Sequence, residues 1–195
     1  MSSPIKLNLK VYQGATFREP LRWESSTKVY KPISGITKSA PIVINAVGHG
    51  IPVGWRTKVT NVVGMTDINS AEVYHIVTEV TSDTVTINAV NALGFKDYIS
   101  GGVLEYNAPV ELAGYIGRMQ IRSNLTDPEV ILELTSANGG IVIDDVAKVI
   151  TIVITAAQSA LLNFASAVYS LELVQGLDVV PFLTGNISLV QEVTR

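Results

Sequence analysis

Apolar and polar residues alternate with a period of two along most of this chain. Ile5, Leu7, Leu9 and Val11 alternate with Lys6, Asn8 and Lys10, which puts four apolar side chains on one face of a half-exposed strand. Phe17, Leu21 and Trp23 run against Arg18, Arg22 and Glu24; Pro20 has no N–H for a ladder, so it marks a bulge or an edge. The period returns in the carboxy-terminal half. Tyr115, Met119 and Ile121 alternate with Arg118, Gln120 and Arg122, Val130, Leu132 and Leu134 with Ile131 and Glu133, and Ile150, Ile152 and Ile154 with Val149, Thr151 and Val153. Tyr169, Leu171 and Leu173 make a further strand that Gly176 breaks, and Ile187, Leu189 and Val193 make the last. Asn138-Gly139-Gly140 accepts positive φ, so Leu134 and Ile141 are expected to flank a hairpin. One segment departs from this period. Thr155 and Gln158 have the spacing of a capping box, which predicts a short helix near 156–164.

The middle of the chain has a different texture. Between about Ile33 and Asn107 the strands are shorter, at Ile42–Ile44, Thr57–Val63, Val73–Val77, Thr84–Asn88 and Val103–Tyr106. About half of the fifteen glycines fall there, as a small, tightly turned all-β unit requires. Neither flank alone has the strands to close a sandwich, whereas together they do. The pattern therefore predicts an all-β chain: a discontinuous β-sandwich over 1–33 and 108–195, interrupted by a small β-barrel over 34–107. An exposed loop after the Trp23 strand tolerates such an insertion.

Composition narrows the function. Hydrophobic residues make up 47% and charged residues 16% of 195 residues, with mean hydropathy +0.34, so the chain is neither disordered nor heavily charged at its surface. Fourteen Lys+Arg against seventeen Asp+Glu give −3 with no run of either sign, which excludes the footprint of a nucleic-acid binder or a polybasic membrane module. The absence of cysteine excludes disulfides and thiolate zinc sites, and the amino terminus is not signal-like. Val149–Leu171 carries no charge and is long enough to span a bilayer as a helix. Its polar residues, Thr151, Thr155, Gln158, Ser159, Asn163, Ser166 and Ser170, and the β period of its first half argue for a strand, a short helix and another strand in a core.

Candidate chemistry is sparse. His49 lies between two glycines, where an imidazole caps a loop by bonding backbone; His75, on a strand face with Val73 and Val77, reads as packed or at an interface. Two histidines without cysteine do not complete a usual structural zinc site. Asp144-Asp145 resembles a turn more than a calcium loop. Glu129, Glu133, Asp144 and Asp145 sit near turns or on polar faces, as solvated or ion-pairing acids do, rather than as the facing pair a glycosidase needs. No nucleophile elbow or phosphate cradle is present. Neither a catalytic residue nor a cofactor or metal site is expected, and an enzyme is disfavoured. Trp55 with Arg56, Tyr98 and His75 are the candidates for an interface, the aromatics as a platform for a partner or a glycan.

Two sets of motifs resemble known families. Gly48-His49-Gly50-Ile51-Pro52-Val53-Gly54, Val59 to Asn69, Tyr74, Val77, Val85-Thr86-Ile87 and Gly101-Gly102-Val103 resemble a small β-barrel module related to the first catalytic-cysteine half-domain of ubiquitin-activating enzymes. That module recurs in tailed bacteriophages and prophages, and it is a non-catalytic half-domain. Gln13-Gly14-Ala15-Thr16-Phe17, the run from Pro109 to Arg122, Leu132 to Asp144, Ala167 to Leu173 and Gln191 to Arg195 are similar to small virion proteins with an immunoglobulin-like or jelly-roll-like sandwich. The resemblance implies a structural component of the tail, baseplate or neck of a phage, assembled in the bacterial cytoplasm and located in the virion. Its implied partners are other virion proteins and copies of itself in a ring, with no nucleic acid and no membrane insertion. The alternative is a module that binds a host-surface glycan or adapts a tail fibre.

Overall fold

A computed structural model describes residues 3–70 and 72–192. It is nearly all-β, and the chain divides into two compact units, residues 1–21 with 111–195 and residues 22–110. In chain order, the first unit opens with β1 (Ile5–Lys6), β2 (Leu9–Tyr12) and β3 (Phe17–Leu21). The second unit holds β4 (Glu24–Pro32), β5 (Gly35–Thr37), β6 (Ile42–Asn45), β7 (Arg56–Val63), β8 (His75–Ile76), β9 (Glu79–Val80), β10 (Thr84–Ile87) and β11 (Ser100–Pro109). The first unit resumes with β12 (Ile116–Arg122), β13 (Leu132–Thr135), β14 (Ile141–Asp144), β15 (Val149–Ile154), α1 (Ala156–Leu161), β16 (Ser166–Gln175) and β17 (Asp178–Val190).

In the first unit a six-stranded sheet runs β1-β17-β16-β12-β13, with β2 also on β17, and a three-stranded sheet runs β14-β15-β3. Alternate residues face inward. Met119 and Ile121, Leu171 and Leu173, and Ile150 and Ile152 are buried, while Arg118, Ser170 and Glu172 face out along the same strands. The sheets pack closely where Gly117 lies under Ile141; a Cβ at 117 would stand 2.4 Å from the isoleucine Cγ2. Tyr169 sits in this core, donates to Leu7 O at 2.8 Å, and has its phenol pushed up to about 12 by burial.

The amino-terminal run is not one strand. β1 and β2 pair separately and in parallel with β17, broken where Leu7 crosses Gly185, at which a Cβ would stand 1.9 Å from the Leu7 carbonyl oxygen. Asn8 Oδ1 accepts from Asn186 N there. Pro20 lies on β3, an edge strand that pairs only with β15, so its missing N–H costs no ladder bond. The expected hairpin between Leu134 and Ile141 does not form. β13 pairs with β12 and β14 with β15, so Asn138-Gly139-Gly140 carries the chain from one sheet to the other. The turn chemistry is as read, with Gly139 at φ +75 and Asn138 bonding Thr135 N, Gly140 N and Glu133 O. Thr155 and Gln158 close their capping box at the start of α1. Val193 lies outside the described residues, and among those described no helix is long and apolar enough to cross a membrane.

In the second unit the sheets run β5-β6-β10-β9 and β4-β11-β7-β8. Consecutive strands link the two sheets at both edges: between β4 and β5, Ile33 N donates to Gly102 O and Ser34 N to Asn45 O, and between β8 and β9, Val77 N donates to Trp55 O and Thr78 N to Thr86 O. The core of the unit holds Trp55, Ile42, Ile44, Met65, Ile87, Leu104 and Tyr106. The unit begins at Arg22 rather than 34 and ends at Val110 rather than 107. β4 belongs to it because all of its pairing is with β11, and Val110 N closes on Trp23 O at 3.0 Å.

Candidate binding surfaces

Most of the residues singled out from sequence are used inside the second unit. Trp55 is 0% exposed, so it is a core residue and offers no platform to a partner. Its indole donates to Asn107 O at 2.8 Å, and the Arg22 guanidinium covers the ring at 5.6 Å from the centroid. A bulky aromatic with a satisfied N–H is worth more in this small core than on its rim. Tyr98 packs half-buried against the same core and points its hydroxyl at the carbonyls of Ile33 and Gly101, at 3.2 and 3.0 Å. His49 is 2% exposed: Nδ1 accepts from Ile51 N at 3.0 Å and Nε2 faces Thr84 O at 3.1 Å. Those partners require the neutral tautomer with hydrogen on Nε2. Tyr106 donates its hydroxyl to His49 O. His75 is half-buried opposite Thr57, and burial pushes its imidazole below the ordinary value.

Arg56 alone of the four interface candidates has an exposed, charged head. It faces out from β7 and forks onto Glu24 with Nε–Oε1 at 2.7 Å and Nη2–Oε2 at 2.6 Å. Arg56 and Lys58, two apart on one strand face, both lie over the Tyr74 ring, at 4.8 and 4.6 Å from its centroid. Register adds Glu105 beside Lys58 and Tyr30, and Lys28 pairs with Glu105. The Glu105 bond raises the Lys28 ammonium and the Glu24 bond raises the Arg56 guanidinium above their ordinary values. This outer sheet face therefore carries fixed, alternating charge flanked by two tyrosines.

A second polar face lies on the six-stranded sheet of the first unit. Cross-strand register puts Arg118 opposite Glu172 and Gln120 between Glu133 and Ser170, so five polar side chains from β13, β12 and β16 share one surface. They line a shallow cleft of about 310 Å³. Arg118 Nε donates to Glu172 Oε2 at 2.7 Å and Gln120 Nε2 to Glu133 Oε1 at 2.8 Å, while Arg122 Nη2 donates to Gln120 Oε1 at 2.7 Å. One step along the strands the face turns apolar: Ile116, Val174 and Val179 stand in register across β12, β16 and β17, and Leu177 at the hairpin tip is fully exposed. The sequence shows these polar positions as the alternate residues of separate strands. It does not show that register gathers them.

The acidic candidates are divided. Glu133 lines the cleft, whereas Asp144 accepts from Val146 N and Ala147 N as a turn former. Asp145 accepts from Leu112 N at 2.6 Å and from Lys148 at 2.8 Å, and the lysine also holds Glu111 at 2.6 Å. The Glu129 amide bonds Asp127 Oδ1. Among the described residues no group of three or more His, Asp or Glu is placed to hold a metal ion. No protein-family model matches the chain, and no curated protein matches it closely enough to count as a relative.

Proposed function

We propose that this chain is a structural component of a tailed-phage virion, in the tail, baseplate or neck, and that it works by contact with other subunits. The observation that carries the reading is the row Ile116, Val174 and Val179 beside the bare Leu177 tip. Large apolar side chains in water forgo about 1.5–3 kcal/mol each relative to full burial, a gain that assembly collects. Turn tips rarely need leucine: Gln175-Gly176-Leu177-Asp178 would close as well with a polar residue at 177. Virion context comes from the sequence resemblance alone, which supplies ring-forming neighbours as partners.

Sedimentation velocity on the full chain tests the reading. The wild-type chain is expected to self-associate at micromolar concentration, and Ile116→Asp with Leu177→Asp to remain monomeric with an unchanged circular dichroism spectrum. A wild-type chain that stays monomeric to about 100 μM, equivalent to less than about 5.5 kcal/mol of association, would sink it.

A further inference from the structure

We infer that the cleft on the outer face of the six-stranded sheet is a binding site for a neutral, polyhydroxylated ligand, a saccharide. This goes beyond the assembly reading and does not depend on it. The hollow exists because Ser170, the smallest side chain of the array, is surrounded by Arg118, Gln120 and Glu172 on adjacent register positions. Its walls are held before any ligand arrives. Arg118 is tied to Glu172, and Arg122 ties Gln120, which ties Glu133, with Arg122 anchored in turn on Asp127 O at 2.7 Å. Preorganised groups lose little side-chain entropy on binding.

The remaining valences define the ligand. The two pairs use one oxygen of each carboxylate, Oε2 of Glu172 and Oε1 of Glu133, and of the guanidinium only Nε of Arg118. The other carboxylate oxygens accept, the terminal guanidinium nitrogens donate, and the Ser170 hydroxyl does both. A hydroxyl also does both, so a ring of adjacent hydroxyls can answer forked acceptors and forked donors together. An anion in the cleft would face two carboxylates, Glu133 and Glu172, at a like-charge cost, and a lone cation, though drawn by Glu133, would leave the Arg118 donors unanswered. A neutral polyol meets neither. The volume, about 310 Å³, lies at the lower end of small-ligand sites, roughly 300–1,000 Å³. No aromatic ring is among the described residues that line the cleft, so stacking is not counted, and an affinity of about 1–10 mM follows for a few exposed hydrogen bonds.

The test is a nitrogen-15 NMR titration of the full chain with glucose, N-acetylglucosamine, maltotriose and chitotriose, reading the Arg118 Nε–H and Gln120 side-chain amide signals. At least one sugar is expected to shift both signals saturably. Ser170→Phe, which fills the hollow from an exposed strand position and leaves every tied pair in place, is expected to abolish the shifts with an unchanged melting curve. Glu133→Gln is expected to weaken binding about tenfold. Ile116→Asp with Leu177→Asp is expected to leave it intact, which keeps this result separate from assembly. The inference is overturned if no sugar gives saturable shifts up to about 50 mM, which corresponds to under about 2 kcal/mol. It is overturned equally by shifts that persist in Ser170→Phe, or by saturation of the cleft with guanidinium chloride or inorganic phosphate in place of sugar.

Discussion

His49 shows at the scale of a residue why two of the residues singled out in the second unit, His49 and Trp55, belong to its interior. A histidine between glycines at positions 48 and 50, both at positive φ, is readable in sequence as a loop-capping ring, and the ring does bond the backbone on both sides. Trp55 is the opposite case. Beside Arg56 it suggests an exposed platform, yet sequence spacing cannot say that its indole N–H finds Asn107 O, 52 residues away, and thereby satisfies a buried ring. The difference is range: a partner two residues away can be inferred from local geometry, a distant one only from the folded unit. His49→Ala would strip the Ile51 N–H of its partner and leave a void, a loss of about 2–4 kcal/mol. His49→Asn keeps an acceptor for the amide two residues on, as Asx turns do, and Thr84 O keeps its bond from Thr81 N. The asparagine variant is therefore expected to lose no more than about half as much stability as the alanine variant. Thermal unfolding of both variants checks the order; equal losses would mean that the ring works by packing alone.

At the scale of elements, the strands were legible because β-branched residues alternate, and so was the helix start, because Thr155 and Gln158 satisfy each other locally. Sheet membership was not. Leu134 and Ile141 flank good turn chemistry, and nothing in the turn distinguishes a hairpin from a crossing between sheets; the distinction lies in β12 and β15, which compete for the two strands. The outer cleft was hidden for the same reason, since Gln120, Glu133 and Ser170 meet only through register. The β14–β15 hairpin also anchors the place where the chain re-enters the first unit. Its turn holds Asp145, bonded to Leu112 N, and Lys148, bonded to Asp145 and Glu111. The Lys148 bond, followed by the Leu112 amide, holds the Asp145 carboxyl below its ordinary value. Burial alone would lower Lys148, but its two carboxylate partners outweigh this and raise it. A depressed carboxyl contributes stability above its unfolded pKa of about 4 and loses it as pH falls through the folded value; a raised lysine contributes below about 10.4 and loses it as pH climbs through its own. The clasp is complete between those limits. Urea midpoints measured from pH 2 to 7 are expected to fall more steeply below about pH 4 for the wild type than for Asp145→Asn. Parallel acid limbs would show that the clasp contributes nothing; Asp127, also held low by Ser123 and the Glu129 amide, accounts for acid sensitivity common to both proteins.

At the scale of the whole chain, the interrupted plan was legible as a change of texture, denser turns and shorter strands in the middle, but its borders were not. The strand Glu24–Pro32 has mostly exposed residues and the long form of the flanking strands, so its sequence gives no sign that it pairs with β11. That pairing moves the border to Leu21 and Arg22, and it sets what an excision should do. Cutting at 34 and 107 removes β11 while leaving β4, a nine-residue strand whose pairing is entirely with β11, and strands stripped of their partners template aggregation. Cutting at 22 and 110 leaves no such strand. The two stumps are then held near each other within the first unit, because Leu21 pairs with Ile150 while Glu111 bonds Lys148, two residues along the same hairpin. A linker of a few glycines and serines is expected to span them at little entropic cost, since closure grows only with the logarithm of loop length. Residues 22–110 end likewise on paired backbone, with Val110 N on Trp23 O and Pro109 opposite Glu24. Both pieces, 1–21 linked to 111–195 and 22–110 alone, are expected to be soluble and to unfold cooperatively, whereas the chain lacking 34–107 aggregates. Light scattering and urea unfolding of the three proteins decide it. If the 34–107 deletion folds as well as the 22–110 deletion, β4 does not need β11, and the border drawn by sheet pairing is wrong.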